Sequence, residues 1–449
     1  MGLKRIYHPN ASDPTIIANS WWEASANPMR HSHAPLENDH SCDVAIVGGG
    51  FTGLTAAKTL AQAGVKSCVV EAGHFGWGAS GRNGGFCANT STKKSLSDIA
   101  AQYGHDEMRK VVKVQEEAIE LVRDFCAQNG ISKDTPDKNA ELAVAHTPYQ
   151  LKQLRIESEE TNQMLGLKTT VMDKQELNDI GAESPAFYGG MILPWGFGLH
   201  PLNYLHALAD ATHDAGATLS PQTEIQSITR ENSRYVLSSQ NVEIHAKKII
   251  IATNGYTSET VPNWCKGRIL PAVSSILVTR PITPQEQARQ GWTTHHMTYD
   301  TRTLLHYFRL LPDGRMMFGG RGATSGDLAK QRAFFPELRR QFDEIFPEWA
   351  NVETDHQWSG FIGLNRKKAL FIGPIDSDQT AWASLAYHGS GVAMASWGGK
   401  TLAELILGRK TLDQLPRLYT DPTRKFPFDF MRPQYLKLAY AYYRQTDKR

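Results

Sequence analysis

No stretch of the 449-residue chain approaches the roughly 18 consecutive apolar residues that a membrane-crossing helix needs, so no membrane span is expected. Cysteine is scarce. Its five residues, Cys42, Cys68, Cys87, Cys126 and Cys265, are widely spaced and form no CxxC. That pattern argues against a disulfide framework and a zinc site, and it suits a reducing compartment. Neither sign of charge is in excess. Lys plus Arg number 48 and Asp plus Glu 46, a formal net charge of +2, which argues against a strongly basic nucleic-acid binder. Residues 1–40 carry no apolar core of the secretory kind, so a cytoplasmic location is expected. Internal repeats and low-complexity tracts are missing too. What remains is an ordinary globular balance, 41% hydrophobic and 21% charged, long enough for two or three domains.

The informative pattern begins at Cys42. Asp43-Val-Ala-Ile-Val47 reads as a buried parallel strand, and Leu54, Ala57, Leu60 and Ala61 recur at helical spacing up to a C-cap at Gly64. A second strand, Lys66–Val70, ends at Glu71. Gly48-x-Gly50-x-x-Gly53 sits between the first strand and its helix. Gly48 permits the tight turn, Gly50 lets the backbone approach a pyrophosphate, and Gly53 lets the helix pack close to the strand. Phe51 and Thr52 open that helix, whose N-terminal N–H groups favour phosphate. Glu71 lies at the offset expected of an acidic ribose ligand.

Three further segments separate a flavin from a simple nicotinamide site. Ala79–Phe86 is a second glycine-rich loop, in which Ser80, Gly81, Arg82, Asn83, Gly84, Gly85 and Phe86 offer donors and a flat-ring contact. The stretch Ser220–Ile251, with Ile225, leads through Lys248–Ile251 into Ala252, Thr253, Asn254 and Gly255. His388 precedes Gly389, Ser390, Gly391 and Val392, where another helix begins and can point its N-terminus at the flavin edge that gains negative charge on reduction.

βαβ pieces near both ends and in the middle, with antiparallel strands between them, predict an α/β (α+β overall) architecture: a discontinuous nucleotide-binding domain plus a sheet-based second domain. Antiparallel strands are expected at Ser274–Arg280, Leu304–Leu311 and Arg315–Gly319, the last two joined at Pro312-Asp-Gly314. The expected division is an N-terminal arm at 1–40, a FAD-binding domain at 41–95, 185–267 and 356–449, and a substrate domain at 96–184 and 268–355.

Val47–Gly53, with Glu71 and Gly78–Gly85, resembles the D-amino-acid oxidase / glycine oxidase / sarcosine oxidase superfamily of FAD enzymes. Trp21–Ser25, Tyr442-Tyr-Arg444, Tyr387–Gly391 and the hairpin running from Tyr307-x-Arg309 through Asp313-Gly-Arg315 to Gly319-Gly320 resemble its gamma-glutamylputrescine oxidase-like branch. The resemblance implies a glutathione-reductase-like Rossmann FAD domain with an inserted antiparallel-sheet domain that roofs the flavin. It also implies oxidation of a C–N bond by hydride transfer to flavin N5, hydrolysis of the imine, and reoxidation by O2 to hydrogen peroxide. The flavin carries that chemistry, so no acid–base pair is required.

The chain departs from the family in three places. It has no cysteine after Cys265, where some relatives attach FAD, so non-covalent FAD is expected. Met316-Met317 stands where some relatives carry an oxygen-activating lysine, which keeps open an amine dehydrogenase that passes electrons to a quinone or protein acceptor. Lys367 and Leu370 replace an Asp and a Pro in the segment Gly363–Gly373. A non-catalytic flavoprotein subunit is the remaining alternative, and the oligomeric state is left open.

The expected partners are a small amine, carboxylate-bearing and primary or secondary, and O2. Its candidate contacts are Tyr307 and Arg309, which share a strand face, with Arg302, Trp195 and Phe197 as further candidates. Arg309 is expected to need a substrate anion, because no acid lies on its own strand. His388 is the catalytic candidate. His31-x-His33 and His295-His296 have metal-like spacing without accompanying carboxylates and are read as surface histidines, so no metal is expected.

Overall fold

The computed structural model describes residues 3–88, 91–135 and 140–447. The ends of the expected 1–40 and 356–449 segments, with 89–90 of 41–95 and 136–139 of 96–184, lie outside the described residues.

Two eight-stranded sheets organise the chain. In the first, His40–Val47 lies between two parallel partners, Ser67–Val70 and Glu243–Ile251, with Val47 opposite both Val70 and Ile251. Both faces of this centre are covered, which is why its strands are continuous apolar runs. Thr218–Ser220 extends one side, and Ala381–Leu385 with Phe371–Pro374 the other. The helices Phe51–Gln62 and Gly391–Ile406 pack on one face and touch backbone to backbone, since a Cβ on Gly399 would lie 2.2 Å from the Thr52 carbonyl oxygen. That contact explains a glycine inside a helix, where it otherwise costs about 1 kcal/mol.

The second sheet runs in the order Thr354–Leu364, Leu270–Pro281, Arg315–Arg321, Tyr307–Leu310, Met297–Asp300, Glu141–Val144, Gly189–Leu193, Thr170–Asp173. The hairpin turn at Pro312–Gly314 has Gly314 at φ +84°. An aromatic cluster of Trp292, Phe308, Phe318, Phe342, Phe346 and Trp349 fills the far face. This sheet differs from expectation in two ways. Met297–Asp300 pairs with Glu141–Val144 in parallel, so the sheet is mixed. Gly189–Leu193, within the expected 185–267 segment, and Thr354–Leu364, most of it within the expected 356–449 segment, hydrogen-bond into this second sheet. Strand pairing is non-local, and the linear pattern gives no sign of which sheet such a strand joins.

The N-terminal arm is part of the body. A capping box between Ser20 and Glu23 starts the short helix Trp21–Ser25. It delivers Trp22, 1% exposed, to donate its indole N–H to the Asn83 carbonyl at 2.8 Å. No helix among the described residues is long and apolar enough to cross a membrane.

Candidate cofactor and substrate site

A continuous cavity of about 330 Å³ runs from the glycine-rich turns of the first sheet to the inner face of the second. Gly48, Gly50, Phe51 and Thr52 line one end. The helix that starts there has no side-chain cap at Gly50, and the Phe51 N–H donates to Ser80 Oγ at 3.1 Å. Gly48 sits at φ +110°, and a Cβ there would press on the Ala252 carbonyl oxygen at 2.8 Å. Glu71 accepts the Gly49 N–H at 2.7 Å and the Gly73 N–H at 3.1 Å. Burial raises the Glu71 carboxyl, against the pull of those two donors. Ile225, Ala252, Thr253 and Asn254 close the side of this end, and Leu3 and Arg5 of the arm reach its rim.

Ser80, Arg82, Asn83, Gly84 and Phe86 carry the lining onward. Arg82 Nε is buried and has no hydrogen-bond partner. At the far side, Gly389, Ser390, Gly391 and Val392 present the second helix N-terminus, again without a side-chain cap. A Cβ on Gly389 or Gly391 would meet nothing within 4 Å. The loops are held in uncommon backbone states: Asn254, Ala386 and His388 all have positive φ, and Asn254 Oδ1 accepts the Ala386 N–H at 2.9 Å. Two uncapped helix N-termini, an acid beside the first turn, an orphaned guanidinium nitrogen and open space over the glycines fit a dinucleotide carrying a flat ring, which is to say FAD.

Four glycines expected among the cofactor contacts do not line the cavity. They build its walls. A Cβ on Gly53 would lie 1.9 Å from the Gly48 carbonyl oxygen, and one on Gly81 would lie 2.1 Å from that of Gly76. The same test puts Gly85 against Leu199 and Gly255 against Phe361 and Ile362.

Beside the second sheet the same cavity forms a chamber lined by Lys93, Glu141, Ser274, Tyr299, Leu305, Tyr307, Gly320, Arg321 and His388. Tyr307 Oη lies 2.9 Å from Ser274 Oγ, and burial raises its phenol. Its ring lies across Gly319, where a Cβ would be 2.2 Å away, and against Gly84. His388 Nε2 is 3.0 Å from Asn365 Oδ1. Burial, then the charges of Lys93, Arg321, Lys367 and Lys368, bring its pKa down to about 3. The imidazole is therefore neutral at physiological pH. It can orient or polarise a substrate, but the role of cationic acid is closed to it.

Arg309 requires a correction. It is fully buried and does not line the cavity. Its Nη1 pairs with Asp134 Oδ2 at 2.8 Å, Nη2 donates to the Leu199 carbonyl at 2.8 Å, and Nε donates to the Gly84 carbonyl at 3.2 Å. The anion it needs comes from a distant loop, and the guanidinium does not reach the cavity where a substrate would bind. Arg302 is likewise held by Asp300, which also accepts from His306. Burial alone would raise the Asp300 carboxyl, but His306 and Arg302 hold it at about 2. Trp195 and Phe197 pack in the interior and stand outside the cavity lining, Phe197 under the Arg123 guanidinium. Lys367 is a strut. Its ammonium donates to the carbonyls of Tyr419 and Asp421, both at 2.8 Å, and burial lowers its pKa to about 7.

Lys93, Glu141, Tyr299 and Arg321 escaped the sequence reading. Arg321 had a signal: the strand Arg315–Arg321 runs two residues past its expected end, and alternation puts Arg321 on the face of Gly319, opposite Tyr307. Lys93 had none. Met317 is buried, with its Cε packed near Gly84. Among the described residues no group of three or more His, Cys, Asp or Glu is placed to hold a metal. His31 instead pairs with Asp214, and His295 with the Leu310 carbonyl.

Residues 43–405 match the family profile described as DAO, FAD dependent oxidoreductase. The chain is 31% identical over 408 residues to the probable oxidoreductase OrdL of Rhizobium meliloti, covering 90% of this chain and 92% of that one. It is 30% identical over 445 residues to gamma-glutamylputrescine oxidoreductase of Escherichia coli, covering 97% and 99%. The fold is similar to that of glycine oxidase from Geobacillus kaustophilus, with a TM-score of 0.69, 19% identity, and coverage of 83% of this chain and 96% of the other.

Proposed function

Since the chain belongs to the DAO family of FAD-dependent oxidoreductases, we propose that it oxidises the C–N bond of a carboxylate-bearing primary or secondary amine and uses O2 as the electron acceptor. FAD, when bound, supplies the two-electron acceptor that takes hydride at N5 and hands the electrons to O2 as hydrogen peroxide, while the imine product hydrolyses in water. In this reading the first sheet with its helices is the FAD domain and the second sheet is the substrate domain. Gly48, Gly50, Glu71 and Ser80 hold the dinucleotide, and the N-terminus of the helix Gly391–Ile406 supports negative charge on the reduced ring. Non-covalent attachment is supported by the cysteines. All five are buried free thiols and none lines the cavity. The same unpaired thiols support a cytoplasmic location.

The observation that carries the proposal is the continuity of the cavity: a dinucleotide cradle opens directly into a chamber lined by Tyr307 and by neutral His388. The chain's residues there orient the amine and exclude water, which is the protein's share of such a reaction. Lys93 and Arg321 add positive charge to the chamber, which supports O2 reduction although Met317 replaces the lysine of some relatives. The test is an anaerobic panel of amines and amino acids read by bleaching of the flavin absorbance. An amine that bleaches it, with peroxide formed on admitting air, meets the expectation. A flavin that no amine reduces refutes it.

A further inference from the structure

Resting on that amine-oxidising reading, we propose that Arg321 and Lys93 together anchor the acid group of the substrate, and that they make the enzyme select anionic or zwitterionic amines over free diamines and polyamines. Arg321 ends the strand Arg315–Arg321, opposite Ser274 and on the same face as Gly319. The missing side chain at Gly319 lets the Tyr307 ring lie flat across the strand and leaves Arg321 beside it at the chamber. Among the described residues its guanidinium makes no hydrogen bond or ion pair.

Arg302, Arg309 and Arg315 are all engaged elsewhere. Arg309 is held by Asp134 and two carbonyls, Arg302 by Asp300, and Arg315 by Asp313 and Asp355. The Lys93 side chain lines the same chamber and has no side-chain partner among the described residues. Its pKa is drawn down to about 8 by burial and then by Arg321, with Glu141 acting in the opposite sense. Two like charges lining one cavity leave a favourable place for an anion. His388 cannot supply the balance, because burial and then the same cations keep it neutral. A carboxylate fits the planar fork of Arg321 and the point charge of Lys93. A second ammonium would meet both of them in repulsion, offset only in part by Glu141.

The test uses the FAD-loaded enzyme and non-oxidisable acids, namely acetate, propionate and glutarate, titrated while the visible flavin spectrum is followed. Saturable spectral shifts are expected with the wild type. Arg321→Met should raise the dissociation constants at least about 30-fold and Lys93→Met about 10-fold, while Arg321→Lys keeps part of the affinity. Putrescine should bind far more weakly than any of the acids. The proposal is overturned by a wild-type flavin that no acid perturbs, by Arg321→Met constants within twofold of wild type, or by putrescine binding better than the acids. If Arg321→Met does not fold, the Arg321→Lys constants decide, and values equal to wild type overturn the anchor. Arg321-dependent acid binding in an enzyme that no amine reduces would uphold the anchor and sink the reaction. Amine reduction indifferent to Arg321 would do the reverse.

Discussion

Replacing Arg309 by Met separates a structural role from a substrate role. In the folded chain its guanidinium satisfies three acceptors: the carboxylate of Asp134 and the carbonyls of Gly84 and Leu199. Met fills similar space but donates nothing, so a largely buried carboxylate and two carbonyls lose their partner. Breaking a buried pair from one side costs about 3–5 kcal/mol, which is a large part of the roughly 5–15 kcal/mol that holds a domain folded. The folding equilibrium should fall by about 150- to 5000-fold. With an unfolding entropy of about 2.1 cal/mol/K per residue over 449 residues, the melting midpoint should drop by about 3–5 °C. FAD should also be held less firmly, because Gly84 lines the cavity and its carbonyl is oriented by Arg309. Adding Asp134→Asn should recover part of the loss by removing the stranded charge. Differential scanning fluorimetry and flavin content of the single and double variants give the answer. A midpoint within 1 °C of wild type and normal FAD, combined with a selective loss of carboxylated-amine turnover, would refute the structural assignment and return Arg309 to the substrate.

Gly50→Val should purify without colour, because even a Cβ at this position comes within 2.7 Å of Ser80 Oγ and a larger side chain enters the phosphate end; the ratio of flavin to protein absorbance reads it. Acid precipitation of the wild type should release all of its flavin to the supernatant, and colour in the pellet would contradict non-covalent binding. Lys93, with Arg321, Glu141 and His388 around it, its backbone N–H on the Lys368 carbonyl, and Tyr299 and Tyr307 on the same chamber, is a cation below about pH 8 and loses its charge above it. Acid dissociation constants should therefore be flat below that pH and rise above it, and Lys93→Met should remove the rise. In stopped flow, the reduced enzyme should be reoxidised by air-saturated buffer within seconds; reaction only with a quinone dye would favour the dehydrogenase.

Much of the cofactor end was legible because its requirements are local. A turn tight enough to need Gly48 at φ +110°, a helix start left open at Gly50, and an acid at the end of the next strand all lie within about one βαβ unit, so their spacing is written in consecutive residues. The hairpin at Pro312–Gly314 was legible for the same reason. Even here the sequence could not separate glycines that line the cavity from those that build it. Gly53 is required by the Gly48 carbonyl five residues away, but Gly85 and Gly255 are required by Leu199 and Phe361 from remote segments.

The charges were decided by tertiary structure alone. Arg309 and Arg321 both sit on neighbouring strands of one sheet. The first is neutralised by Asp134, 175 residues earlier in the chain, and the second is left unpaired at the chamber. His388 carries a motif that reads as a reactive histidine, yet its protonation is set by burial and by Lys93, Arg321, Lys367 and Lys368, which arrive from three other segments. Backbone conformation answers to near neighbours in sequence. The state of an ionisable side chain answers to whatever charge lies within a few ångströms and to how much water is excluded, and the folded chain alone assembles those surroundings.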